Sequence, residues 1–119
     1  MSFEVGIDLV ELIAIKEKIN ERFIQRILSE SETVFFNNIH DEQRKLTFLA
    51  GRFAAKEALF KAFKFGDKTA NYKDFSIMND EVGAPYLKPN RFTERASIKL
   101  SISHSMHFAT AIVIVEKKE

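Results

Sequence analysis

Two carboxylates, a lysine and a histidine stand where their neighbours leave simple solvation an incomplete explanation. Glu57 and Lys61 belong to the run Gly51-Arg52-Phe53-Ala54-Ala55-Lys56-Glu57-Ala58-Leu59-Phe60-Lys61-Ala62-Phe63. On a helical wheel Leu46, Leu49, Ala50 and Phe53 form one apolar sector. Glu57 falls inside that sector and Lys61 at its edge, one turn further on. Taken alone, the two read as a solvated Glu-to-Lys pair at i, i+4, a contribution of only about 0.2–0.5 kcal/mol. Their apolar neighbours support another reading, in which Glu57 points into a cleft and needs a cation to be tolerable there. Asp8, flanked by Gly6, Ile7, Leu9 and Val10, raises the same question at the end of an extended segment. A turn or cap role is the ordinary explanation for an acid there. Two carboxylates joined by phosphate and water oxygens would suit Mg²⁺, which takes few protein ligands and keeps several waters. Ser101-Ile102-Ser103-His104-Ser105 is the third group: a histidine in a turn beside hydroxyls can hold a phosphate, although a lone surface histidine is commoner. With no cysteine, a zinc centre is disfavoured. Neither a Walker loop nor a dinucleotide-binding glycine pattern occurs.

The elements that must position these residues follow from periodicity and punctuation. Phe3 to Leu9 alternates in part and is rich in β-formers, so it predicts a strand. Glu11 to Leu28 carries Leu12, Ile15, Ile19, Phe23 and Ile27 at helical spacing, with Asn20 as a candidate break. Ser29 or Ser31 can cap a short helix through Phe35 and Phe36, with Glu32 in its first turn. Asp41 opens the longest helix, to about Lys64. Beyond Gly66 come short extended pieces, Phe75 to Met78 and Pro85 to Leu87, the second behind a turn at Glu81-Val82-Gly83. A short helical stretch is expected from Pro89 to Glu94. Two clear strands end the chain, one holding Ile98, Leu100 and Ile102 and the other Phe108 to Val115, with Ser103-His104-Ser105-Met106 as their hairpin turn. Helices early and strands late give an α+β class with a mainly antiparallel sheet.

The 119 residues predict a single domain, 1–119, small enough for oligomerisation to be a natural second source of stability. A hydrophobic share of 45% and a charged share of 29% place it among soluble globular chains. The first residues do not read as a signal peptide, and the longest apolar run is too short to span a bilayer. A cytoplasmic location is therefore expected. A net charge of +1 argues against a general nucleic-acid binder. Glu42 to Lys64 nevertheless holds six Lys/Arg against two Glu, a local field that suits an anionic ligand.

Taken together, these segments resemble the holo-acyl-carrier-protein synthase family, whose members are 4′-phosphopantetheinyl transferases. The matching residues are Gly6-Ile7-Asp8 with Glu11, the run Leu49 to Ala58 with Lys61-Ala62, and Ser101 to Ser105, in the family's order and separation. The resemblance covers essentially the whole chain. It implies a homotrimer of compact α+β subunits with active sites at their interfaces. It implies transfer of 4′-phosphopantetheine from coenzyme A to a serine of an acyl-carrier protein, as in fatty acid biosynthesis. By the family pattern, Asp8 and Glu57 bind Mg²⁺ (Mn²⁺ being the alternative) and Lys61 neutralises phosphate charge. Glu57 is the candidate base for the serine proton, directly or through water. His104, from a neighbouring subunit, contacts a coenzyme A phosphate, with Ser105 beside it. Arg52 and Lys56 add positive potential, and Gly66 lines the pantetheine path.

Two departures stand out. Relatives commonly have Arg where Ala14 stands, so Lys16, Lys18, Arg22 and Arg26 must supply the positive surface for an acidic carrier. The glycine-rich turn after the long helix is reduced to Lys64-Phe65-Gly66-Asp67. Two other readings of the same residues are a non-catalytic basic module for an acidic helical partner, and the same transferase chemistry on a peptide or polyketide carrier.

Overall fold

The computed structural model describes residues 2–63 and 69–118. Strand β1 (Phe3–Glu11) leads into helices α1 (Leu12–Lys18), α2 (Glu21–Ile27), α3 (Glu30–Asn37) and α4 (Glu42–Ala62). A short 3-10 turn at Tyr72–Asp74 follows, then the small hairpin β2 (Ile77–Asn79) and β3 (Pro85–Leu87), and the long hairpin β4 (Ala96–His104) and β5 (Phe108–Lys117). β5 is the centre of an antiparallel sheet of order β1-β5-β4, with Phe3 opposite Glu116 and His104 opposite Ala109. This is the α+β architecture that the sequence predicts, with α4 as the long central helix.

Local signals account for the helix boundaries. Asn20 does divide the first helical stretch, its side chain accepting from the Phe23 amide at 2.8 Å to cap α2. Ser29 and Glu32 form a reciprocal capping box at the start of α3. Asp41 caps α4 through the Arg44 amide at 2.9 Å. The small hairpin turns at Asp80–Gly83, where Gly83 takes the left-handed φ of 85° and Asp80 Oδ1 accepts from the Val82 and Ala84 amides.

Two predictions are corrected. Ser103 and His104 extend β4, paired with Thr110 and Ala109, so the hairpin turn begins only at Ser105. Residues 89–94 form turns and no helix. Asn90 Oδ1 accepts from the Phe92 amide at 2.9 Å, and the Asn90 amide donates to Thr93 Oγ1 at 3.0 Å. Such side-chain bonds offer the backbone a local alternative to helical bonds. The reduced glycine turn at Lys64–Asp67, with Gly66, lies outside the described residues.

The core lies between α4 and the sheet. Ala54, Ala55, Ala58 and Ala62 meet Ala111, Val113 and Val115, all buried. These small side chains permit a close approach, and Gly6 permits the closest: a Cβ there would stand 1.8 Å from the Ala58 carbonyl oxygen and 2.9 Å from the Ala62 nitrogen. The other face of the sheet is left bare, with Phe3, Val5, Ile7 and Leu9 each more than half exposed and Ile112 and Ile114 beside them.

Candidate functional site

The contact at Gly6 brings strand and helix together where the carboxylates lie. Two residues along β1, the Asp8 side chain is largely covered, while its own carbonyl accepts from Thr110 Oγ1 at 2.7 Å. Lys61, on the last turn of α4, donates from Nζ to Asp8 Oδ1 and to the Ile7 carbonyl, each at 3.0 Å. One helical turn earlier, Glu57 is partly buried and accepts a hydrogen bond from Tyr72 Oη at 3.0 Å. Burial is the main cause that pushes the Tyr72 phenol up to about 12. The hydrogen bond to Glu57 adds to it, and the charges of Glu57 and Asp8 act in the same direction against that of Arg26. Asp8, Glu57, Tyr72 and Arg26 thus share one electrostatic neighbourhood, with Lys61 bonded to Asp8. Sequence spacing, with 49 positions between the two acids, could not show this.

A second group gathers at the other end of α4. Arg44, Phe48, Arg52, Asn79, His104 and Ser105 help to line an open cleft of about 950 Å³. His104 is the last residue of β4 and is exposed, and Ser105 forms the turn after it, its amide donating to the Phe108 carbonyl at 2.8 Å. Arg52 is buried beneath this cleft. Its guanidinium donates to the Ile77 carbonyl at 3.0 and 3.1 Å and to Asn79 Oδ1 at 3.3 Å, and it stacks 4.3 Å from the centre of the Phe48 ring. Arg44, exposed at the rim, escapes sequence reasoning. Its position one helical turn before Phe48 and two before Arg52 is the signal that could have found it.

Lys56 is corrected. The family pattern has it adding positive potential at coenzyme A, but its side chain is wholly buried. Nζ donates to the Ile27 carbonyl at 2.6 Å and pairs with Glu32. Burial lowers the Lys56 ammonium from its ordinary range, with Glu32 as the main opposing influence. Glu32 also accepts from the Ser29 amide and, at its other oxygen, from the Ile77 amide, each at 2.9 Å. This lysine ties α2, α3, α4 and β2 together. The positive field read from Glu42 to Lys64 is smaller by that neutralised charge.

Lys16, Lys18, Arg22 and Arg26 are all exposed on α1 and α2. Arg26 also borders a cleft of about 560 Å³ with Phe60, Ala70, Asn71 and Tyr72. Arg26 thus shares a cleft with Tyr72, the residue bonded to Glu57. Ala14 is half-buried on α1. No helix of the described residues is long and apolar enough to cross a membrane.

Comparison with known proteins agrees with this geometry. Residues 4–113 match the model of the 4′-phosphopantetheinyl transferase superfamily. A holo-[acyl-carrier-protein] synthase of Acholeplasma laidlawii is 52% identical over 118 residues, covering 99% of each chain. The crystal structure of a Bacillus anthracis holo-(acyl-carrier-protein) synthase in complex with CoA (3′,5′-ADP) is similar, with a TM-score of 0.86 and 38% identity over 97% of this chain and 96% of that one. The Helicobacter pylori synthase in complex with coenzyme A gives a TM-score of 0.78 and 32% identity over 94% of this chain and 99% of that one. With its fold and these relatives in agreement, the chain belongs to the holo-[acyl-carrier-protein] synthase family of the 4′-phosphopantetheinyl transferase superfamily.

Proposed function

We propose that Asp8, Glu57 and Lys61 perform the family's reaction in this chain: transfer of 4′-phosphopantetheine from coenzyme A to a serine of apo-acyl-carrier protein, as fatty acid biosynthesis requires. The serine hydroxyl oxygen attacks the β-phosphorus, the P–O bond to the α-phosphate breaks, and adenosine 3′,5′-bisphosphate leaves. The observation that carries the reading is the bond from Lys61 to Asp8 beside the Gly6 contact, with Glu57 one helical turn before Lys61 on the same helix.

The donor set fits Mg²⁺. Asp8 and Glu57 offer hard carboxylate oxygens of the kind Mg²⁺ takes, and Mg²⁺ would complete its shell with phosphate and water oxygens; Mn²⁺ accepts similar ligands. When bound, the ion supplies neutralisation of phosphate charge. Lys61, 55% exposed at its side chain, can exchange Asp8 for a phosphate oxygen. Glu57 receives the serine proton, directly or through a water. Phosphoryl transfer asks mainly for such positioning and charge stabilisation.

Self-assembly as a trimer has two supports. The bare sheet face sets Phe3, Val5, Ile7 and Leu9 beside Ile112 and Ile114, an exposed apolar patch of the kind that marks an interaction surface. Around α4, moreover, Arg44, Phe48 and Arg52 point roughly 100–180° away from Glu57 and Lys61, given about 3.6 residues per turn. A coenzyme A lying between two copies could meet the carboxylates of one and the His104 cleft of the other. The exposed residues Lys16, Lys18, Arg22 and Arg26 would receive the acidic carrier.

The test is to incubate the protein with Mg²⁺, coenzyme A and apo-carrier protein and to weigh the carrier. Gain of a phosphopantetheine mass is the expected result, and an unchanged mass would overturn the transferase reading. Light scattering should give three times the chain mass; a fully active monomer would sink the shared site.

A further inference from the structure

Glutamate side chains have three rotatable bonds, so a carboxylate that must meet an ion gains from being held in place beforehand. Glu57 is so held, because Tyr72 Oη donates to its Oε1 at 3.0 Å. Tyr72 is itself fixed. Its ring lies edge-on to Phe60, with centroids 5.1 Å apart, and tilted against Phe53 at 6.2 Å. Phe60 also meets the buried ring of Phe75 edge-on at 5.6 Å. The backbone under Tyr72 is closed by Asn71 and Asp74: the Asn71 amide donates to Asp74 Oδ2 at 2.7 Å, and the Asp74 amide to the Asn71 carbonyl at 3.0 Å. Phe60 stands three positions after Glu57 on α4, so the helix that carries the carboxylate also carries part of the platform for its partner.

We propose that Tyr72 is a positioning residue whose hydroxyl holds the Glu57 carboxylate in the orientation needed to bind a divalent cation. This rests on the assignment of Glu57 as a metal ligand. A group hydrogen-bonded to a ligand orients it, and losing such a partner typically costs about 10–100-fold in metal affinity or activity. Tyr72→Phe removes the hydroxyl and keeps the ring against Phe53 and Phe60, so the effect is separable from packing.

Calorimetric titration of Mg²⁺ into the coenzyme A-bound protein tests the proposal on the unaltered chain, Tyr72→Phe and Glu57→Gln, with thermal unfolding of each. Tyr72→Phe should bind Mg²⁺ about 10-fold more weakly and melt as the unaltered chain does. Its kcat should fall at limiting Mg²⁺ and recover as Mg²⁺ is raised, with KM for the carrier unchanged. If Tyr72→Phe matches the unaltered chain in Mg²⁺ affinity while Glu57→Gln has lost it, the metal site stands and the role of Tyr72 is refuted. A Tyr72→Phe protein that differs only in a lower melting temperature refutes that role equally. If Glu57→Gln keeps full Mg²⁺ affinity, the ligand assignment itself is overturned, and the positioning role with it.

Discussion

Helix α4 carries two lysines five positions apart, each paired with a carboxylate, and they could hardly differ more in setting. Lys56 is sealed from water with Glu32, and both charges are locked among backbone partners from three other elements. Lys61 pairs with Asp8 at the protein edge, with more than half of its side chain exposed. A buried pair is costly to break, since the survivor is left charged without water. An exposed pair holds its partners loosely. The difference is one of exchange: a pair at the edge can trade its partner for a solvent anion, and a sealed pair cannot.

The sharpest way to break this distinction is to neutralise the acids. Asp8→Asn and Glu57→Gln should each lower transfer by about 10²–10³-fold or more, the scale on which preorganised charge stabilisation acts. Melting temperature and assembly should stay nearly unchanged, because little volume is altered. Normal turnover and normal Mg²⁺ affinity in both variants would refute the site.

Glu32→Gln and Lys56→Met probe the buried pair, and each should destabilise the fold by about 3–5 kcal/mol. Chemical denaturation reads this directly. A variant of either kind with undiminished stability but a large loss of kcat would return Lys56 to the substrate.

Lys61→Met should show the reverse pattern. Its stability should change by no more than about 1 kcal/mol, as for an exposed pair, while kcat/KM falls strongly. Steady-state kinetics and thermal melts on one preparation decide it; equal losses in both would erase the contrast between the two lysines.

The smallest effect concerns charge that acts before any contact is made. Ala14→Arg should lower KM for an acidic carrier with little change in kcat, and charge reversal at Arg22 or Arg26 should raise it. Both effects should shrink with added salt. Should none of these variants move KM at low salt, the carrier docks on another face.

Much of this is legible in residue order, and what is not has physical reasons. Asn20, Ser29 and Asp41 mark helix starts by capping chemistry, which is local and therefore readable. The long hairpin is visible in alternation. Alternation cannot tell which face of β1 is covered: the larger apolar set, Phe3 to Leu9 at odd positions, is the bare one, because Gly6 is needed against α4. Asp8 and Glu57 stand out through their apolar neighbours. The burial of Lys56 does not, because its partner Glu32 lies 24 positions away and looks, in sequence, like an ordinary first-turn acid. The hydrogen bond from Tyr72 to Glu57 spans 15 positions through a 3-10 turn with no periodic signature.

The sheet order has a consequence for how the molecule is made. β5 pairs with β4 and with β1, so the strand that carries Asp8 finds its neighbour only among residues 108–117. The loop thereby closed is almost the whole chain, and non-local pairing of this kind slows folding because chain entropy is lost before contacts compensate it. During synthesis α1 to α4 can form while Phe3, Val5, Ile7 and Leu9 wait without a neighbour, an aggregation-prone edge until the final strand emerges. Asp8 is thus made well before Ala111, the residue on β5 that it faces in the finished sheet.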